Sequence, residues 1–133
     1  MGNKQKNKKK SINKSNKEKV EKDGKYKYNV LFIGETGIGT KTSLIKRIIE
    51  GKFIENIEDN EEKCYNFSFK EKNQEFIFYL IDTSGKTDKK DSCENYYKNA
   101  DCIIMGYDII NKESFEEIKN HWYKQVKELS NTN

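Results

Sequence analysis

The sequence predicts an α/β fold in which a mainly parallel sheet, with one antiparallel hairpin strand, lies between two layers of helices. Apolar runs alternate with helical patterns in the order β-α-β-β-α-β-α, which places helices on both faces of such a sheet. A glycine-rich turn joins the first strand to the first helix, and an aspartate closes a later strand. We expect this fold to occupy residues 28–133 and residues 1–27 to form a Lys-rich tail.

The tail at residues 1–27 differs in composition from the rest of the chain. It holds eleven lysines against three acidic residues, a net charge of +8, so the remainder carries −4 of the chain's formal +4. Such a polar segment cannot bury enough apolar surface to offset the entropy of ordering, and we expect it to be disordered. Three roles of the tail are left open: attraction to an anionic membrane, a nuclear or nucleic-acid patch at residues 8–10, or a merely solvated extension.

The first strand and the first helix follow from local patterns. The run at residues 28–33 predicts a buried strand, and a helix is expected to begin near Lys41 and to end at Gly51. Its apolar residues recur at helical spacing and are Leu44, Ile45, Ile48 and Ile49.

A hairpin is predicted next, after a polar loop at residues 53–63. Alternating aromatic residues predict one half-buried strand, a turn follows at residues 71–74, and residues 76–81 form the second strand. The alternating residues are Tyr65, Phe67 and Phe69.

The last part of the domain is predicted to contain a short helix through residues 95–97, a strand at 102–107 and a final amphipathic helix capped by Asn111. We expect the strand to present an unpaired apolar edge, so that the chain is marginally stable and aggregates or recruits a partner there. The core stripe of the final helix is predicted to be Phe115, Ile118, Trp122, Val126 and Leu129.

The glycine-rich turn, residues 34–44, reads Gly-Glu-Thr-Gly-Ile-Gly-Thr-Lys-Thr-Ser-Leu. Glycines let backbone N–H groups curl around an anion, and the following helix N-terminus favours negative charge. The turn resembles the P-loop of nucleotide-binding proteins, in which a lysine reaches the outer phosphates and the next hydroxyl binds Mg²⁺.

The match to that motif has two possible registers, because Thr40 separates Gly39 from Lys41. If Thr40 is inserted, Lys41 and Thr42 take the phosphate and Mg²⁺ roles. Without the insertion, Thr40 replaces the lysine and Lys41 replaces the hydroxyl, and both roles are lost. We favour the insertion because Lys-Thr-Ser-Leu is kept as a block, and a bulge accommodates one residue easily.

A second motif lies 41 residues after Lys41, where Asp82-Thr83-Ser84-Gly85 ends the second hairpin strand. An aspartate in this place holds the Mg²⁺ shell in P-loop proteins, and the glycine N–H approaches the γ-phosphate. The candidate nucleotide contacts are Gly34, Gly37, Ile38, Gly39, Thr40, Lys41, Thr42, Ser43 and Gly85, with Lys41 and Gly85 as candidate catalytic groups and Thr42 and Asp82 as metal ligands.

The chain resembles the Ras superfamily of small GTPases, most closely the Rab branch, from about residue 28 to residue 129. The resemblance rests on Lys-Thr-Ser-Leu-Ile-Lys-Arg at 41–47, Asp-Thr-Ser-Gly at 82–85, Asn-Tyr-Tyr-Lys-Asn-Ala at 95–100 and Tyr-Asp-Ile at 107–109. It implies a P-loop NTPase fold with three layers (α/β/α), the cofactors GTP/GDP and Mg²⁺, and a switch between two nucleotide states.

Three departures from the family pattern change what we expect. The switch I threonine aligns near Asn60, in a loop without Ser or Thr, and Lys86 replaces the glutamine that positions the attacking water. The guanine-recognition motifs would lie beyond Asn133, so the domain is expected to be C-terminally truncated. Guanine specificity is therefore implied only by the resemblance.

The sequence accordingly favours a Rab-like small GTPase with weak or absent hydrolysis and a role in membrane traffic or signalling. A pseudo-GTPase that acts as an interaction module and an incomplete gene product are the alternatives. Effector or regulatory proteins are expected at residues 53–64 and 86–97 and an anionic membrane at the tail, whereas a nucleic-acid partner is not favoured. The cysteines are odd in number and lack metal-ligand spacing, which indicates reduced intracellular thiols. We therefore expect a cytoplasmic protein, in solution or peripheral at the cytosolic face of membranes.

Overall fold

The computed structural model describes residues 20–21, 24–35, 40–54, 63–83 and 90–130. The described strands are Val20–Glu21 (β1), Lys25–Ile33 (β2), Lys63–Glu71 (β3), Gln74–Asp82 (β4) and Cys102–Met105 (β5). The described helices are Thr40–Glu50 (α1), Lys90–Asn99 (α2), Lys112–Glu117 (α3) and Tyr123–Leu129 (α4), and the π-helical turns Ile118–Trp122 join α3 to α4.

The strands form one mixed sheet centred on β2. Strands β4 and β5 lie parallel to β2 on its two sides, and β3 lies antiparallel to β4 at the outer edge. The short β1 pairs antiparallel with the start of β2, within the part of the chain predicted to be tail. The predicted α/β class, mainly parallel with one hairpin strand, is confirmed.

Successive residues of the central strand point to opposite sides of the sheet, so the sheet has two apolar faces. Helices cover both of them. Leu31 and Ile33 pack with Ile81, Tyr97 and Trp122 on the face covered by α2 and the final helix. The opposite face carries α1, and its buried cluster consists of Val30, Phe32, Ile45 and Leu80.

Helix α1 begins and ends as the sequence predicts. Gly51 follows it with φ +70°, and the Gly51 N–H donates to the Arg47 carbonyl at 3.1 Å. Ile45 is fully buried, whereas the other apolar residues of the helix are exposed. Those exposed residues are Leu44, Ile48 and Ile49.

All four predicted strands differ from the observed ones at their ends, since β3 and β4 extend to Lys63–Glu71 and Gln74–Asp82, and β2 and β5 differ as follows. Strand β2 begins at Lys25, three residues before Tyr28, because Tyr26 stacks on Phe76 and Lys25 forms an ion pair with Glu75 at 3.6 Å. Lys25 and Lys27 interrupt the apolar run, so a prediction based on apolar residues alone began the strand too late. Strand β5 ends at Met105, two residues earlier than predicted, and among the described strands it pairs only with β2.

The final helix contains one departure from its predicted core stripe. Asn111 caps it as expected, since its side-chain oxygen accepts the Ser114 N–H at 3.2 Å. Phe115, however, is 39% exposed and packs on Tyr107 instead of the core. The helical phase changes at the π-helical turns, so the predicted inclusion of Phe115 in the core is wrong.

None of the helices in the described part of the chain combines the length and the apolar character needed to cross a membrane.

Candidate functional site

The candidate site lies where β2 and β4 end side by side and α1 begins. The two strands are parallel, and Phe32 of β2 is in register with Asp82, the last residue of β4. Helix α1 starts at Thr40, seven positions after the end of β2. Ligands of parallel α/β sheets bind at the carboxyl ends of the strands, so this is the edge at which a nucleotide is expected.

Lys41 is a buried cation in the first turn of α1. Its side chain is 3% exposed, and its Nζ donates hydrogen bonds to the Gly34 carbonyl at 2.9 Å and the Glu35 carbonyl at 3.1 Å. These bonds fold the lysine back across the start of the glycine-rich turn. A buried ammonium requires such partners, and here they hold its charge beside the turn expected to receive phosphates.

Thr42 and Asp82 form the second part of the site. The Thr42 hydroxyl donates a 2.5 Å hydrogen bond to Asp82 Oδ2, and the two residues are 5% and 1% exposed. Both offer oxygen, the ligand atom that Mg²⁺ prefers, and Mg²⁺ in phosphate sites is commonly held by one or two carboxylates with the substrate phosphates. The pair therefore fits a magnesium site.

Thr83 fixes the end of β4 against β2. Its hydroxyl donates to the Phe32 carbonyl at 2.8 Å, its N–H reaches the same carbonyl at 3.4 Å, and the residue is buried. Sequence reasoning quoted Thr83 as part of a motif but gave it no role. The hydrogen bond from Thr83 to Phe32 connects residues 51 positions apart, so no local sequence pattern could predict it.

Gly34 directly follows β2 and lies against Gly106, in the segment that follows β5. Its φ is +141°, and a Cβ placed on it would lie 2.5 Å from the Gly106 carbonyl oxygen. The Gly106 N–H in turn donates to the Ile33 carbonyl at 2.9 Å. Glycine is required at position 34 by this close backbone approach, which the sequence did not reveal.

Only some of the predicted site residues can be placed. Gly34, Lys41, Thr42 and Asp82 lie together as described above, and Ser43 follows on α1 with partial exposure. Thr40 is the first residue of α1, but its side chain lies outside the described residues. The remaining predicted contacts lie wholly outside the described residues and are Gly37, Ile38, Gly39 and Gly85.

Other candidate sites in the described part of the chain are weaker. Its His, Cys, Asp and Glu side chains do not come together in a group of three or more that would hold a metal ion by themselves. Surface pockets of about 330 Å³ and 370 Å³ lie elsewhere, one beside Tyr107 and Phe115 and the other beside Cys64 and Tyr96.

Comparison with known proteins defines the class. The sequence model of the Ras family matches residues 29–133, and the chain belongs to this family of small GTPases. The human Rho-related GTP-binding protein RhoD is 28% identical over 97 residues, which cover 73% of this chain and 46% of RhoD. The Ras-related protein RabC of Dictyostelium discoideum is 27% identical over 106 residues, 77% of this chain and 53% of RabC. The chain thus spans about half the length of these curated relatives.

Proposed function

We propose that this chain binds GTP and GDP together with Mg²⁺ as a Rab-like small GTPase domain with weak or absent GTP hydrolysis. The observation that carries the proposal is the pairing of the Thr42 hydroxyl with Asp82 beside the buried Lys41, at the carboxyl edge of β2 and β4. Phosphate and Mg²⁺ binding requires this combination of a cation, a hydroxyl and a carboxylate.

The same geometry supports the register in which Thr40 is an inserted residue. With the insertion, the motif lysine is Lys41, and its Nζ does lie beside the first carbonyls of the glycine-rich turn. The motif hydroxyl is then Thr42, which contacts Asp82 directly. Under the register without an insertion, Lys41 would stand in the hydroxyl position, and the Thr42–Asp82 bond would have no counterpart in the motif.

In the proposed complex, Thr42 and Asp82 would hold Mg²⁺ directly or through water, and the bound ion would supply positive charge to the nucleotide phosphates. Lys41 would stabilise negative charge on the β- and γ-phosphates through its ammonium. Backbone N–H groups of residues 38–43 would bind the phosphates, and the Gly85 N–H would contact the γ-phosphate.

Hydrolysis is proposed to be slow because of two sequence features outside the described ranges. Lys86 stands where the family has a water-positioning glutamine, and a cationic lysine cannot accept a proton from water. The loop around Asn60 lacks the Ser or Thr that the family uses to close over the γ-phosphate. The same two features favour the alternative function, a pseudo-GTPase that acts as an interaction module.

We base the proposed cellular setting on membership of the Ras family and on the positive charge of the tail. Residues 53–64 and 86–97 would contact effectors or regulators, and the role would be in membrane traffic or signalling. The tail carries a net charge of +8, which favours contact with an anionic membrane surface by a protein of the cytoplasm.

Fluorescent nucleotide titration tests the proposal. The 133-residue chain should bind mant-GDP and mant-GTP in the presence of Mg²⁺, should bind mant-ATP far more weakly, and should lose affinity when EDTA removes the ion. Absence of binding to any nucleotide would overturn it. Guanine-nucleotide binding without measurable phosphate release in single-turnover assays would favour the pseudo-GTPase.

A further inference from the structure

Strand β3 forms the outer edge of the sheet. It runs for nine residues, and among the described strands it pairs only with β4. A long edge strand is a ready template for another strand, because one side of its backbone lacks a neighbour. The opposite edge, β5, offers only four residues, Cys102–Met105.

The hairpin turn decides which backbone groups of β3 point away from β4. Lys72 and Asn73 form a two-residue turn with φ of +47° and +64°, so Glu71 and Gln74 are a hydrogen-bonded pair. Hydrogen-bonded and non-bonded pairs alternate from there along an antiparallel ladder. The N–H and C=O groups that point outward therefore belong to Cys64, Asn66, Ser68 and Lys70.

These outward groups match a second copy of the same strand in one antiparallel register. If Phe67 lies opposite Phe67 of the second copy, Asn66 faces Ser68 and Cys64 faces Lys70 across the new boundary. Each of these is a hydrogen-bonded pair, so every outward N–H and C=O of both strands finds a partner. Moving the register by two residues leaves some of them without one.

The side chains favour the same register. Lys63 comes to lie opposite Glu71 of the second copy, and opposite charges in facing positions stabilise a strand pair. Tyr65 comes to lie opposite Phe69, which is 43% exposed in the single chain. Phe69 already stacks on Phe76 at 5.1 Å, so the new contact extends an existing aromatic cluster.

We propose that β3 is a self-complementary edge through which two copies of this chain pair antiparallel about Phe67 and form a continuous sheet. The backbone phase set by the turn and the charge pattern of the side chains select this register independently. A foreign strand would need to reproduce both the spacing of the charges and the central aromatic contact. The proposal does not depend on nucleotide binding.

A pair of substitutions at Cys64 tests the register, because each dimer contains two contacts between position 64 and Lys70. Cys64→Glu should tighten the dimer and Cys64→Lys should weaken it, by roughly 3- to 30-fold each in dissociation constant. Sedimentation equilibrium of the 133-residue chain measures both. Residues 64 and 70 lie too far apart along one strand to interact within a single copy. Any effect of the charge at position 64 on Lys70 is therefore an effect on the dimer and not on the monomer.

Cross-linking tests the same contact covalently. In a Cys93→Ser, Cys102→Ser background, Lys70→Cys should give a covalent dimer with the native Cys64 when copper phenanthroline catalyses oxidation by dissolved oxygen. Adding Cys64→Ser should abolish the product. Ser68→Pro, which removes an outward N–H, should dissociate the dimer, whereas Ser68→Ala should leave it intact. A chain that stays monomeric at high concentration, or a dimer that does not cross-link between positions 64 and 70, would overturn the proposal.

Discussion

The hydroxyl of Thr42 donates a 2.5 Å hydrogen bond to Oδ2 of Asp82, and this contact joins two sequence motifs 40 residues apart. Thr42 belongs to the first turns of α1, and Asp82 is the last residue of β4. Neither motif is decisive alone, because a glycine turn before a helix and an aspartate at a strand end are both common in proteins. Their meeting at one edge of the sheet gives the site its chemistry.

The register in which Thr40 is an inserted residue predicts different effects of substituting Thr40 and Lys41. Lys41→Ala should abolish Mg²⁺-dependent GTP binding, because it removes the buried cation that contacts the Gly34 and Glu35 carbonyls. Thr40→Ala should change binding little and is the matched control. Titration with mant-GTP measures both. Equal losses, or a loss from Thr40→Ala alone, would refute the insertion.

The Thr42 hydroxyl is predicted to matter for metal binding. Thr42→Ala should weaken Mg²⁺ affinity in the nucleotide complex by roughly tenfold to a hundredfold, since a hydrogen bond or ligand contact to a charged group is worth about 1.5–3 kcal/mol. Thr42→Ser keeps the hydroxyl and should retain most of the affinity. The check is an Mg²⁺ titration of mant-GDP release, and equal behaviour of both variants would argue against Thr42 as a ligand.

Gly34 is predicted to be intolerant of any side chain. Gly34→Ala should lower the free energy of unfolding by roughly 2–6 kcal/mol, because a Cβ would meet the Gly106 carbonyl oxygen and the backbone would be strained. Gly51→Ala is the control, since φ is +70° there but nothing lies within 4 Å of the added carbon. Its cost should be only about 1–2 kcal/mol. Urea denaturation distinguishes them, and equal costs would contradict the close approach at Gly34.

Lys86→Gln is predicted to raise the rate of single-turnover GTP hydrolysis, because glutamine can orient water where a lysine cation cannot. Lys98→Gln makes the same change of charge on the exposed side of α2 and should have no effect. The measurement is release of phosphate from a preformed GTP complex. An unchanged rate with intact binding would place the defect in the loop around Asn60 and favour the pseudo-GTPase.

The packing of α2 against the final helix depends on a buried polar pair. The Tyr97 hydroxyl donates to Gln125 Oε1 at 2.8 Å, and both residues are buried. Tyr97→Phe should cost about 1–3 kcal/mol of stability, because it leaves the Gln125 amide oxygen without this donor. The double variant Tyr97→Phe, Gln125→Leu should recover part of the loss. A double-mutant cycle by thermal denaturation measures the coupling, and a coupling near zero would show that the bond contributes little.

Local chemistry in the sequence was sufficient for much of the architecture. Gly51 ends α1 in the left-handed conformation, Asn111 caps the final helix, and the two hairpin strands meet at the predicted turn. These features depend on residues a few positions apart, so the sequence specifies them directly. Asp82 was likewise placed at the end of a strand by the apolar run before it.

The rest was decided by contacts between distant segments. The start of β2 at Lys25 depends on stacking against Phe76, and the exposure of Phe115 depends on the helical phase at the π-helical turns. Gly34 needs to be glycine because Gly106 passes beside it, and Thr83 is fixed by Phe32, 51 residues earlier. The sequence by itself determined the candidate residues and their types. Only the tertiary structure decided that Lys41, Thr42 and Asp82 share one edge, because the parallel pairing of β2 with β4 is a long-range contact that no local pattern encodes.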